Sequence, residues 1–365
     1  MNISLARHAG AALTTCVLVA ACGSADPSDA DDVDTTSASF PVTIEHRFGE
    51  TTIDTQPQRV VSIGFAEHDG LLALGVEPIA VRDWYGDMPD ATWPWAQDEL
   101  GDLTPEVLPS TDLNFEQISA LDPDLIIGVS SGMSDSDYET LTAIAPTVAR
   151  SDEFPEYATP WREQLRTAGA AVGRTDRAEE VIAEVEQMYA DARDAHPEFE
   201  GATATVGFAY QGDPGAYASG DVRSQFLVEL GFVIPPEYDE LAGDQFFFDV
   251  SQEELAMLDT DVIVWLVSDG TGVEQLRSMP LRPTLTAVAE GREVVADPLL
   301  SGAFSHASAL SIEYVLDELV PELALALDGD PSTPVRSADM LDPDGSGTGV
   351  TAVTAGDEAD EEPTG

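Results

Sequence analysis

The sequence predicts an α/β fold in which two α/β lobes are joined by a single long helix. Three observations predict it. From residue 59 the apolar run RVVSIG, the segment EHDGLLALG ending at Gly75 and the run PIAV alternate buried-strand and helix character, a β-α-β rhythm. Residues 161–196 instead carry helical periodicity at Val181, Val185, Met188 and Ala192, with acids on the other face, as a strut would. The β-α rhythm then returns at TATVGFAY. At 365 residues and 43% hydrophobic, the chain is long enough for two such lobes.

Taken in order, residues 1–21 read as a secretion signal. Arg7 and His8 precede the run AGAALTTCVLVAA, which is too short to span a bilayer. Residues 19–22, VAAC, resemble the bacterial lipobox, which implies that Cys22 becomes the lipid-modified first residue of the mature chain, an extracytoplasmic protein anchored to the cell membrane. Cys16 lies in the removed segment, so no mature disulfide can form. Residues 22–39 are small, polar and acidic, a flexible tether. The first lobe is expected over 40–150, with NFEQISAL as a helix capped by Asn114, DLIIG as a strand and DYETLTAIA as a helix. The inter-lobe helical segment follows over 151–199. The second lobe occupies 200–330, with helices in SQFLVELG and SQEELAML, the strand DVIVWLV and a last helix through HASALSIEYVLDELVPELALAL. Residues 331–365 repeat the tether's character and are expected as a disordered acidic tail.

Charge excludes some partners. All 15 basic residues are arginine against 69 acids, a net charge of -54, so nucleic acid and anionic membrane surfaces lack the basic patches they need. The excess acid reads as solvated surface, with a saline habitat as a further reading. His46, His68, His196 and His306 are scattered without ligand spacing, and no metal or cofactor site is expected.

Two lobes in sequence imply a cleft at the carboxyl ends of their strands. The loop RDWYGDMPDATWPWAQDELGD follows the strand PIAV and so falls at that rim. Pro89 and Pro94 prevent a regular helix there, and the loop gathers Trp84, Tyr85, Trp93 and Trp95. Such rings either wall a ligand site or form a satellite cluster under the loop. Arg82 heads the loop, His68 and Ser131 sit at neighbouring strand-to-helix turns, and Tyr210, Trp265, Phe304 and His306 end strands or begin loops of the second lobe. For Trp265 core packing is the alternative role; for Arg82 and Arg223 it is a surface ion pair. The run GVSSG also matches a nucleophile elbow, with Ser130 followed by Asp297 and His306 in hydrolase order. Against this, Met133, Ser134 and Asp135 intervene before the next helix, and no glycine-rich oxyanion loop lies upstream.

The segments QPQRVVSIG, LLALGVEPIAV, NFEQISALDPDLIIG, LTAIAPTV, VSQEELAMLDTDVIVW and GREVVADPLL, with the final helix, together resemble the helical-backbone solute-binding lipoproteins of iron-siderophore and cobalamin ABC importers, over roughly residues 56–328. The resemblance implies no enzymatic activity. It implies a monomer that binds a ferric siderophore and docks on an ABC permease with its cytoplasmic ATPase, with cobalamin or haem as alternative solutes. It places Glu116 and Glu253 as permease-docking carboxylates, favours the aromatic loop as ligand wall, and makes Arg223 a basic cleft residue. Hydroxamate-binding members often place an arginine just before the segment matching NFEQI, where this chain has Thr111 and Asp112. With few arginines to offset a tris-catecholate, the expected ligand is a neutral or cationic ferric siderophore, hydroxamate or mixed-ligand in type.

Overall fold

In the computed structural model, which describes residues 40–210, 212–268 and 270–341, the folded chain opens on an antiparallel hairpin, β1 (Val42–His46) and β2 (Gly49–Ile53), that the sequence reading did not anticipate. Cys22, the signal segment and the tether lie outside the described residues. Then come β3 (Val60–Ser62), α1 (Glu67–Ala73), β4 (Ala80–Arg82), α2 (Gln97–Leu100), β5 (Glu106–Leu108), α3 (Phe115–Ala120), β6 (Leu125–Gly128), α4 (Asp135–Thr142) and β7 (Thr147–Ala149). The five later strands form one parallel sheet in the order β5-β4-β3-β6-β7. The residues of β3, β4, β6 and β7 are all buried, as in a sheet covered on both faces, while the edge strand β5 exposes Glu106 and Val107. Asn114 caps α3 by accepting from the Gln117 amide at 3.1 Å, as its spacing predicts.

The expected single helix over 161–196 is two, α5 (Trp161–Val172) and α6 (Thr175–Ala195). Gly173 adopts a left-handed φ of 71° and ends α5, and the Arg174 amide donates back to the Gly169 carbonyl at 2.7 Å. The strut between the lobes is therefore α6 alone.

The second lobe contains β8 (Ala204–Tyr210), β9 (Asp213–Tyr217), α7 (Val222–Glu229), α8 (Glu237–Ala242), β10 (Phe247–Asp249), β11 (Val262–Leu266), α9 (Gly270–Ser278), α10 (Thr286–Ala289), β12 (Glu293–Ala296), α11 (Pro298–His306) and α12 (Ala309–Ala326). Its sheet runs β10-β9-β8-β11-β12, parallel from β8 to β12 but with β9 and β10 antiparallel at one edge. Segment SQEELAML forms a 3-10 turn over Gln252–Leu258 rather than an α-helix. The Ser251 hydroxyl donates to the Glu254 carboxylate at 2.8 Å without capping the backbone.

Residues 331–341 belong to this lobe and not to a tail. Val335 and Leu341 are buried in the core, and Arg277 Nη2 donates to the Met340 carbonyl at 2.6 Å. Among the described residues no helix is long and apolar enough to cross a membrane.

In each sheet the chain changes direction of winding once, between β3 and β6 and between β8 and β11. The carboxyl ends of those strands are where such sheets leave a crevice. Helix α12 packs on both α1 and α6, so the second lobe presses directly against the first beside its strand ends.

Candidate functional site

The first lobe's strand ends are braced by Arg82, the last residue of β4. Its Nη1 donates to the carbonyls of Ile63 (3.3 Å) and Ser131 (2.9 Å), and its Nη2 to those of Ser110 (3.1 Å) and Thr111 (2.6 Å). One face of the guanidinium lies 4.3 Å from the Phe65 ring centroid. A side chain expected to reach for a ligand is instead buried and committed to four backbone oxygens, tying the ends of three strands together. It borders a polar hollow of about 400 Å³ with Asp112 and Asp137. Ser131 is likewise committed, donating to the Gly128 carbonyl at 2.8 Å.

The aromatic loop divides into two parts. Trp84 and Tyr85 remain half-buried, with Trp84 stacked 5.5 Å from Phe65, whose other neighbour is Tyr157 at 6.3 Å. Trp93 and Trp95 stack at 5.0 Å and face His306 of α11 at 5.3 and 4.9 Å. Trp93 is only 3% exposed, so the expectation that it walls the cleft is corrected: it is part of the seam between lobes. Gly302 makes room for it, since a Cβ there would sit 2.4 Å from the indole. Gly302→Val is accordingly expected to lower stability by about 1–3 kcal/mol, read as a fall in the melting temperature; an unchanged melt would show that the indole moves aside freely.

Beneath these rings lies a buried polar cluster. Asp69 Oδ2 accepts from Trp95 Nε1 at 2.8 Å and from the Ser308 hydroxyl, across the seam, at 2.6 Å. His68, a candidate ligand contact at a strand-to-helix turn, is 1% exposed, with its Nε2 3.5 Å from Asp69 Oδ1. His306 Nδ1 donates to the Gly302 carbonyl at 2.9 Å. Burial pushes the His306 imidazole down to about 4 and lowers His68 as well, so both are neutral at pH 7. Glu67 is buried beside them. Burial raises its carboxyl to about 7, against the opposing pull of amides from Ser130, Gly64 and Val129 and of the Arg82 charge. Gly64 is required there because a Cβ would overlap the Glu67 carboxylate.

On the second lobe sequence reasoning named Arg223 and Tyr210 but missed the rings beside them, Phe208, Tyr217, Phe246 and Phe247. Arg223 is paired with Asp221 through Nε at 2.7 Å and Nη2 at 2.9 Å, and its guanidinium lies 3.8 Å over the Tyr217 ring. Phe208 neighbours both Tyr217 (5.1 Å) and Phe247 (5.8 Å), with the exposed Phe246 5.1 Å from Phe247. Tyr210 is 67% exposed on the same strand as Phe208. The signal was the run FFF at 246–248, whose alternate rings face opposite sides of β10. Tyr85 links the two lobes: its ring lies 6.5 Å from that of His306, it feels the Arg223 charge, and burial lifts its pKa to about 12.

Two other candidates leave the wall. Trp265 is fully buried, its Nε1 donating to Glu293 at 2.7 Å, and Gly207 leaves space for the ring; it is core. Phe304 is buried beside Phe226 and lines an apolar cavity of about 310 Å³ at the lobe junction. The nucleophile elbow has no relay. Ser130 Oγ lies 3.5 Å from Gln164 Oε1, Asp297 caps its own helix at the Leu300 amide, and His306 is engaged with Gly302. Glu116 and Glu253 are exposed in the first turns of α3 and of Gln252–Leu258, one on each lobe. Among the described residues no group of His, Cys, Asp and Glu could hold a metal ion.

Comparison with known proteins agrees with this architecture. A family model described as periplasmic binding protein matches residues 60–299. The probable siderophore-binding lipoprotein YfiY of Bacillus subtilis is 29% identical over 84% of this chain and 94% of its own length. Among solved structures, a periplasmic solute binding protein from Mycobacterium smegmatis is 35% identical with a TM-score of 0.70, covering 78% of this chain and 98% of that one. Streptococcus pneumoniae PiaA, solved in complex with ferrichrome, is 28% identical with a TM-score of 0.66 over the same shares. Two α/β sheets, one strut helix and a sequence match running from β3 into α11 together make this chain a solute-binding member of the periplasmic binding protein family.

Proposed function

We propose that the chain captures a ferric siderophore between its lobes and delivers it to an ABC permease, held at the membrane through lipid on Cys22. The feature that carries this reading is two sets of rings, Phe65, Trp84, Tyr85 and Tyr157 on the first lobe and Tyr217 and Phe246 around Arg223 on the second, brought together through His306 and Tyr85. Rings of this kind bury large apolar area at small entropic cost. Both arginines at the site are spent, Arg82 on carbonyls and Arg223 on Asp221, which supports a neutral chelate, hydroxamate or mixed in type, over a tris-catecholate. Iron enters already chelated, as substrate. The exposed Glu116 and Glu253 are suited to accept arginines of the permease, one from each lobe.

Titrating the purified chain with a neutral ferric trihydroxamate is expected to quench tryptophan fluorescence, and Trp84→Phe to reduce that quench. Quenching by a ferric tris-catecholate alone would reverse the ligand assignment. The double change Glu116→Arg and Glu253→Arg is expected to abolish uptake with binding intact; normal uptake would remove the docking role.

A further inference from the structure

The apolar cavity at the lobe junction is not used by the facing rings. It is bounded by Phe154 and Ala158 on the segment after β7, by Trp161 at the start of α5, and by Val222, Phe226 and Phe304 from the second lobe. Its volume of about 310 Å³ would take on the order of ten hydrocarbon carbons at interior packing density. The cation at its margin is more than offset: Arg162 is bound to Glu229 at 2.9 Å and to Glu186 at 2.6 Å. Trp161 is 8% exposed, and its indole Nε1 finds no hydrogen-bond partner among the described residues. A buried donor left unmet is costly unless an acceptor reaches it, and Trp161 borders both this chamber and a smaller hollow beside Gly70 and Ala309. The chamber also neighbours the ring walls, because Tyr157 lies on the same segment as Phe154 and Ala158, and Val222 adjoins Arg223.

We infer that this chamber is a second subsite that receives an uncharged hydrocarbon arm of the chelator, acyl or aryl, carrying one carbonyl-type acceptor for Trp161 Nε1. The inference rests on the chelate-binding reading above and narrows its ligand to an amphiphilic chelate. An apolar lining whose cation is already paired with two carboxylates argues for an arm without a free carboxylate, and the chamber's volume for a chain of six to ten carbons in order of magnitude.

The test compares one neutral ferric trihydroxamate without an arm with the same chelate N-acylated by six and by ten carbons. Affinity is expected to rise with chain length, by up to roughly fourfold per methylene that enters the chamber. Gly220 borders the chamber, and a Cβ there meets nothing within 4 Å, so Gly220→Leu and, separately, Ala158→Leu are plugging variants. Either should erase the gain from the arm while leaving the armless chelate bound as in the parent. Trp161→Phe should keep the gain from chain length but lose the several-fold preference for an amide-linked over an ether-free alkyl arm. Equal affinity for armed and armless chelates, or a gain that survives both plugs, overturns the inference. The neutral probe N-phenyl-1-naphthylamine separates it from the reading beneath it. If the probe is bound and is displaced by the acylated chelate, the subsite stands. If it is displaced by a free fatty acid but by neither chelate, the chamber serves a lipid and the inference falls. If the armless chelate binds and the probe does not, chelate capture stands and the subsite alone fails.

Discussion

Asp69→Ala is expected to destabilise the fold by about 2–6 kcal/mol, since it strips the acceptor from two buried donors at once, each worth about 1–3 kcal/mol when orphaned. Those donors are Trp95 Nε1 from the aromatic loop and the Ser308 hydroxyl at the head of α12. The loss falls on the seam, because Ser308 and Asp69 belong to different lobes, 239 residues apart in sequence. Asp69→Asn retains one acceptor oxygen and is expected to lose less, and Ser308→Ala only about 1 kcal/mol. Urea unfolding followed by tryptophan emission measures all three. If Asp69→Ala falls within about 0.5 kcal/mol of the parent, the carboxyl is not an anchor. The same variant should uncouple Trp95 from α12 and blue-shifted emission from that indole should move toward the red.

Glu67→Gln is expected to reshape the pH dependence of stability. The Glu67 carboxyl titrates near 7 in the fold against 4.5 as its ordinary value, so its contribution is intact below pH 4.5 and is lost as pH rises through 7, by roughly 3 kcal/mol. His306 has the opposite sign. Its imidazole is held near 4 against an ordinary 6.5, so its contribution is present above pH 6.5 and is lost as pH falls toward 4, again by roughly 3 kcal/mol. Between about pH 4.5 and 6.5 the two slopes oppose each other, and the lowered His68 adds to the histidine side. The parent should therefore climb less steeply there than a protein without the Glu67 carboxyl, lose a little stability from pH 6.5 to about 7, and be flat above that. Glutamine removes the alkaline loss, leaving a curve that climbs steeply from pH 4 to 6.5 and then levels. Unfolding free energies of both proteins across pH 4–8 read this directly. Superimposable profiles would mean that Glu67 ionises as an exposed carboxylate does.

The two effects share one cause. Residues 67–69, Glu-His-Asp, open α1 with all three side chains enclosed, because α1 is covered by α5 on one side and by α12 on the other. An isolated α/β unit would leave this helix start in water. Packing a second lobe over it converts ordinary surface ionisables into a dry polar layer, in which each charge state carries a large free-energy difference.

The strands β3, β4, β6, β8 and β11, the helices α1, α3, α4, α7 and α12, and the Asn114 cap follow from local pattern alone. Periodicity of 2 or 3.6 and capping chemistry act over a few residues, so a single segment contains its own evidence. The break at Gly173 was legible in principle as a C-cap glycine, but the continuing apolar stripe on either side obscured it. The antiparallel edge of β9 and β10 was not legible, because short strands of three to five residues owe their pairing to a neighbour rather than to their own propensity.

What the sequence by itself determined is the two-lobed α/β plan, the placement of an aromatic loop at a strand end and the acid-rich exterior. Each depends on composition or short-range spacing. Which rings of the loop stay half-buried and which seal the seam, that Arg82 braces strands, that Arg223 is neutralised by Asp221, and that Glu67, His68 and Asp69 lie out of water were decided only by tertiary structure. Burial and partner choice arise where segments hundreds of residues apart meet, and a side chain's chemistry is fixed by what covers it.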